Sequence, residues 1–112
     1  MGSDSVPGEF FKQPYESMIV YGGFTNVMEE NETITLGSSS ITAEDVNGDD
    51  ASSDILSGSP TIYNDGDGNP FRLGIRAVDG VAVNSPYKIE VKIITSLGNK
   101  WEVDCFLNVE EI

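Results

Sequence analysis

The sequence contains no histidine, a single cysteine and only 6 basic residues against 19 acidic ones, and each shortage removes a class of chemistry. Without an imidazole there is no Ser-His-Asp triad, no His-ligated zinc and no His proton shuttle. Cys105 has no second cysteine to pair with, which points to folding in a reducing cytosol. A net charge of −13 lacks the clustered Lys and Arg that nucleic-acid backbones and anionic membranes attract. The charge is most simply a solubility device, with cation binding or a basic protein neighbour as its other uses. No apolar run approaches the roughly 18 residues of a membrane helix, and no basic segment leads into an apolar one as a secretory leader would. Val6 stands where a myristoylation signal needs Ser or Thr. The sequon Asn31-Glu32-Thr33 has no glycosylation role without a leader.

What is present fits one domain of 112 residues, with an apolar fraction of 38% that suffices for a modest core. No segment keeps an apolar 3.6-residue period between caps. Short alternating runs, separated by Gly, Asp, Asn and Ser clusters, predict an all-β fold. In Tyr87–Thr95 the residues Tyr87, Ile89, Val91 and Ile93 share one face, and Lys88, Glu90 and Lys92 the other. In Lys100–Val109 the inward set is Trp101, Val103, Cys105, Leu107 and Val109. Ser96-Leu97-Gly98-Asn99 joins the two runs as a hairpin turn. On this face Cys105 packs as a small hydrophobe, and Trp101 and Leu107 belong to the core. Pro70–Val78, Ser59–Tyr63, Glu32–Leu36, Ser40–Glu44 and Pro14–Tyr21 supply the other strands. About seven strands at this spacing predict an immunoglobulin-like antiparallel β-sandwich over residues 15–112, preceded by a flexible N-terminal arm at 1–14. Tyr87, two residues before Ile89 at the start of the penultimate strand, stands where a tyrosine corner would.

The acidic stretch at 44–55, EDVNGDDASSDI, opens like a calcium loop, with Asp45, Asn47 and Asp49 at alternate positions. An EF-hand loop starting at Asp45 needs Gly at its position 6 and a bidentate acid at its position 12. Asp50 and Leu56 stand there instead. The run at Asp65 fails in the same places, with Pro70 and Arg76. Turn chemistry accounts for both, which leaves Asp45, Asn47 and Asp49 as weak metal candidates only. The Gly-rich turns lack the Lys and helix of a phosphate loop, and no catalytic carboxylate pair falls in a motif. The expectation is a protein that is not an enzyme and carries no cofactor.

Taken together, FFKQP (10–14), Glu32-Thr33-Ile34, SITAEDVNGDDASSDILSGSPTI (40–62) and ITSLGNKWEVD (94–104) resemble a family of small immunoglobulin-like virion proteins of tailed bacteriophages, of the fibre–tail adaptor type. The resemblance implies a structural component at a head–tail or tail–fibre junction. Such a component would be made in the bacterial cytoplasm, located in the virion and repeated in a symmetric assembly with other virion proteins. It also makes Phe10, Phe11, Lys12, Gln13 and Pro14 the docking element, and places Ile55 and Leu56 in the core. Capsid decoration is a second reading. A third, of another class, is a bacterial extracellular adhesion or carbohydrate-binding module with irregular calcium sites.

Overall fold

The alternating segments form strands in the computed structural model, which describes residues 8–111. The strands are β1 (Gly8–Lys12), β2 (Met18–Gly23), β3 (Ser40–Glu44), β4 (Leu56–Tyr63), β5 (Arg72–Ala77), β6 (Tyr87–Ile94) and β7 (Lys100–Val109), with one four-residue helix, α1 (Ser52–Ile55). They build two sheets in the orders β1-β7-β6-β3 and β2-β5-β4. The fold is the immunoglobulin-like β-sandwich that the strand spacing predicts. One pair departs from an all-antiparallel arrangement: β1 runs parallel to β7, from Gly8 beside Cys105 to Lys12 beside Val109.

Between the sheets lie Tyr87, Ile89, Val91 and Ile93 of β6 and Cys105, Leu107 and Val109 of β7, against Val20, Leu73, Ile75 and Ala77 of the second sheet. Period-two alternation is therefore enough to sort core from surface along β6 and the second half of β7. The sheets come so close that a Cβ on Gly22 would sit 2.9 Å from the Cβ of Val91. Only glycine fits there. The tyrosine corner is present, with the Tyr87 hydroxyl accepting a hydrogen bond from the Val81 amide at 3.0 Å.

One loop geometry serves three times. Thr95 N donates to the Asn99 carbonyl at 2.9 Å, Gly98 N donates back to the Thr95 carbonyl at 2.9 Å, and Thr95 Oγ1 accepts from the Leu97 and Asn99 amides at 3.3 Å each. Asp65 holds the Asp67 and Asn69 amides in the same way, both at 2.9 Å. Asp45 holds the Asn47 amide at 2.9 Å and the Asp49 amide at 3.0 Å. The fourth residue of each loop, Gly48, Gly68 or Gly98, takes φ between 81° and 84°, where a side chain would be strained. The calcium-like runs are thus hairpin loops whose first side chain caps its own turn.

Four expectations need correction. Glu32–Leu36 is not a strand: only Ile34 bridges to Thr95, and Leu36–Ser38 is a 3-10 turn. The cause is Glu32, whose carboxylate is buried while accepting from the Glu29 amide at 2.9 Å and Asn99 Nδ2 at 3.2 Å. These donors hold its pKa below the ordinary value, with a Thr95 hydrogen bond as the largest contribution. The strand predicted at Pro14–Tyr21 begins only at Met18, because Gln13–Glu16 closes a turn in which Glu16 N donates to the Gln13 carbonyl at 3.0 Å. The arm predicted at 1–14 ends earlier. Residues 8–12 are β1, tied into the sandwich by Phe10, whose ring meets Tyr21 edge-on at 5.4 Å. Residues 1–7 of that arm lie outside the described residues.

Trp101 is the fourth correction: it is 37% exposed and not part of the core. Among the described residues β1 covers β7 only from Cys105 onward, so the first half of β7 is a sheet edge and Trp101 sits beside open space. The apolar end of the sandwich is closed instead by Phe24, fully buried in a turn whose amide donates to the Phe71 carbonyl at 2.9 Å. Leu107→Ala should therefore cost about 2–5 kcal/mol in urea unfolding. Trp101→Ala should cost less than about 1 kcal/mol. The reverse order would mean that the register of β7 is wrong.

Candidate ligand-binding face

The core-facing residues of β6 and β7 leave their neighbours on the outer face of the four-stranded sheet. Cross-strand rows there run Glu44–Lys88–Phe106, Thr42–Glu90–Asp104 and Ser40–Lys92–Glu102, followed by Ile94–Lys100. The second row sets Glu90 directly opposite Asp104, a like-charge pairing that ordinarily destabilises a sheet. Lys88 partly offsets it, with Nζ 3.4 Å from Glu90 Oε2 and 3.7 Å from Asp104 Oδ2. Asp104 is the main reason that the Lys88 pKa lies above its ordinary value.

Glu102 completes a cluster of carboxylates. One oxygen each from Glu90, Glu102 and Asp104 lies within 4.8 Å of the others. Asp104 Oδ1 is buried and has no hydrogen-bond partner. The Glu102 pKa is raised, first by a hydrogen bond shared with Asp104, then by desolvation and by repulsion from Asp104 and Glu90. Two carboxylates in this relation need a proton or a cation between them. An all-oxygen donor set suits a hard divalent cation such as calcium, magnesium or manganese.

Glu102 also lines a groove of about 400 Å³ that runs from this face past the open edge of β7 to the inward side of the sheet. Its other walls are Ser38, Ser40, Lys92, Ile93, Ile94, Lys100 and Trp101, of which Ile93 and its cross-strand partner Trp101 belong to the inward side of the sheet. The volume falls within the range of small-ligand sites, about 300–1,000 Å³. The face carries Lys88, Lys92 and Lys100, half of the molecule's 6 basic residues. The only thiol takes no part in this face: Cys105 is fully buried, and burial pushes its thiol up to about 12.

The residues singled out by sequence lie elsewhere. Asp45 Oδ1 is taken by two amides of its own loop, and Asn47 and Asp49 are exposed beside it. Of the residues predicted to dock, Phe10 packs on the core and Lys12 is buried, its Nζ donating to the carbonyls of Gln13 at 2.8 Å and Pro14 at 3.1 Å. Gln13 N donates to Glu16 Oε1 at 2.6 Å and Pro14 lies in the same turn, both half-buried, while Phe11 is 57% exposed. The carboxylate cluster was within reach of sequence reasoning. Once Ser96–Asn99 is assigned as the hairpin turn, counting back along both strands sets Glu90 against Asp104.

No family model matches the chain, and no curated protein matches it. Among solved structures, the crystal structure of CopC from Methylosinus trichosporium OB3b is similar over 98% of this chain and 91% of that one, with a TM-score of 0.56 and 17% identity. At that identity the likeness is one of fold. It counts against the expectation of a phage virion adaptor, because a structure similar over 98% of the chain is a CopC and not a virion component.

The crowded carboxylates predict a pH-dependent gain. A raised folded-state pKa means that ionised Glu102 weakens the fold above that pKa and does so no longer once protonated. Glu102→Gln should raise the melting temperature at neutral pH, and the gain should vanish as the pH falls to about 4. A loss of stability at neutral pH would contradict the crowding.

Proposed function

We propose that this chain is a non-enzymatic binding module of the bacterial extracellular kind, with an irregular cation site, and that it works through the outer face of β3, β6 and β7 together with the groove at the open edge of β7. The observation that carries this reading is the place of Glu102, which lines the groove beside Trp101 and also belongs to the carboxylate cluster with Glu90 and Asp104. Ligand groove and cation seat are contiguous. A cation there would replace the missing partner of Asp104 Oδ1 and relieve the like-charge pairing of Glu90 and Asp104. The donors favour calcium-like ions, because the chain has no imidazole and its only thiol is buried. Cys105, which by its lack of a partner points to a reducing cytosol, is buried and therefore places no bar on an oxidising compartment either. The strongly negative charge keeps nucleic acid away from the module.

Three carboxylates on a sheet surface form a site open to solvent, so the expected calcium dissociation constant is about 10⁻⁴–10⁻³ M, as in extracellular modules. Trp101 adjoins Glu102 and is the only tryptophan, which makes its fluorescence a local reporter. Calcium added to chelator-treated protein should change that fluorescence saturably. At about ten times the dissociation constant it should stabilise the fold by about 1.4 kcal/mol. Glu90→Gln with Asp104→Asn should abolish both effects. No change up to about 10 mM calcium, or an equal response in the double variant, would refute the cation seat.

A further inference from the structure

We propose that the groove beside the carboxylate cluster takes a carboxylated saccharide, a uronate ring lying against Trp101 with its carboxylate held by Lys92 and Lys100. The proposal rests on the reading of this face as the binding surface and adds the class of ligand. Its first ground is charge. In a molecule of net charge −13, two of the 6 cationic side chains line one groove of about 400 Å³, with Glu102 as its single acid. Among the described residues Lys100 has no ion pair, and Lys92 has only the Coulomb influence it shares with Glu102. Lys12, by contrast, is buried with its ammonium on its own turn, and Lys88 is held between Glu90 and Asp104. The groove therefore holds the lysines best placed to meet an incoming anion.

The second ground is the match of surfaces. A pyranose has apolar C–H faces and a rim of hydroxyls. An exposed indole, apolar on its face and polar at its edge, complements the former. The Ser38 and Ser40 hydroxyls, each able to donate and accept, complement the latter. A ring carboxylate adds charge-assisted hydrogen bonds to the lysine ammonium groups. Glu102 opposes that carboxylate, so neutralising Glu102 should tighten the complex.

The test uses uronate trimers (galacturonate, glucuronate and mannuronate) and their methyl esters, which keep the ring and lose the charge. Titrations followed by Trp101 fluorescence and calorimetry are run in chelator, so the outcome does not depend on the cation seat. At least one acid trimer should bind saturably, with its ester weaker by about tenfold or more. Lys92→Ala with Lys100→Ala should lose about tenfold in affinity for the acid, and Glu102→Gln should gain, a response that a purely structural role would not produce. Lys92 and Lys100 are solvent-exposed, so the double lysine variant should keep the parent melting behaviour. Binding of ester and acid alike, indifference to the double lysine variant, or no binding by any trimer at about 10 mM would overturn the proposal. If calcium still binds under those last outcomes, the ligand class has failed and the cation seat stands.

Discussion

The register of β6 against β7 is the constraint on which the rest of this molecule depends. Eight pairs, from Tyr87 beside Leu107 to Ile94 beside Lys100, decide both faces of the larger sheet at once. A slip of β7 by one residue would turn Cys105, Leu107 and Val109 out to water and bury Asp104 between the sheets. The Thr95–Asn99 loop sets this register from one end, through the Thr95 hydroxyl and the left-handed Gly98. Glu32 adds a tie from outside the hairpin, holding Asn99 from a segment more than sixty residues earlier in the chain. The same pairing that packs the core places Glu90 against Asp104 and brings Glu102 and Trp101 to the groove. Fold and candidate site are two sides of one hairpin.

Much of the fold was legible in the sequence, for a simple reason: where a strand buries one face, hydrophobic alternation reports that face directly. Ser40–Glu44 and Lys100–Val109 have the predicted bounds, and Tyr87 makes the predicted corner. Alternation fails where burial is not set by the sheet. Trp101 has the right parity for the core but stands where β1 no longer covers β7. Glu32 is a carboxylate buried by hydrogen bonds, which a pattern of apolar residues cannot signal. Phe10 and Phe11, adjacent in sequence and alike in type, divide between core and solvent once β1 pairs with β7.

The candidate site was less legible, and acidic turns are the reason. Asp45, Asn47 and Asp49 drew attention because metal loops and capped hairpins use the same residue types at the same spacing. The segments that resemble phage virion proteins, SITAEDVNGDD and TSLGNKWEVD, correspond in the structure to strands joined by these capped loops, features tied to hairpin geometry. Hairpin geometry belongs to a fold, and one fold hosts many functions. The likeness to CopC is informative in the same measure, for architecture. Function has to be argued from Glu90, Glu102, Asp104 and the groove beside them, which only strand pairing assembles.

Paramagnetic mapping with manganese tests the central claim most directly, because it reads where a hard cation sits without relying on how tightly it binds. Small additions of Mn²⁺ to isotope-labelled protein broaden amide signals close to the ion. Broadening centred on residues 90, 102 and 104 and fading toward the Asp45 and Asp65 loops is the result this account predicts. Broadening centred on either loop, or spread evenly over the acidic surface, would contradict it.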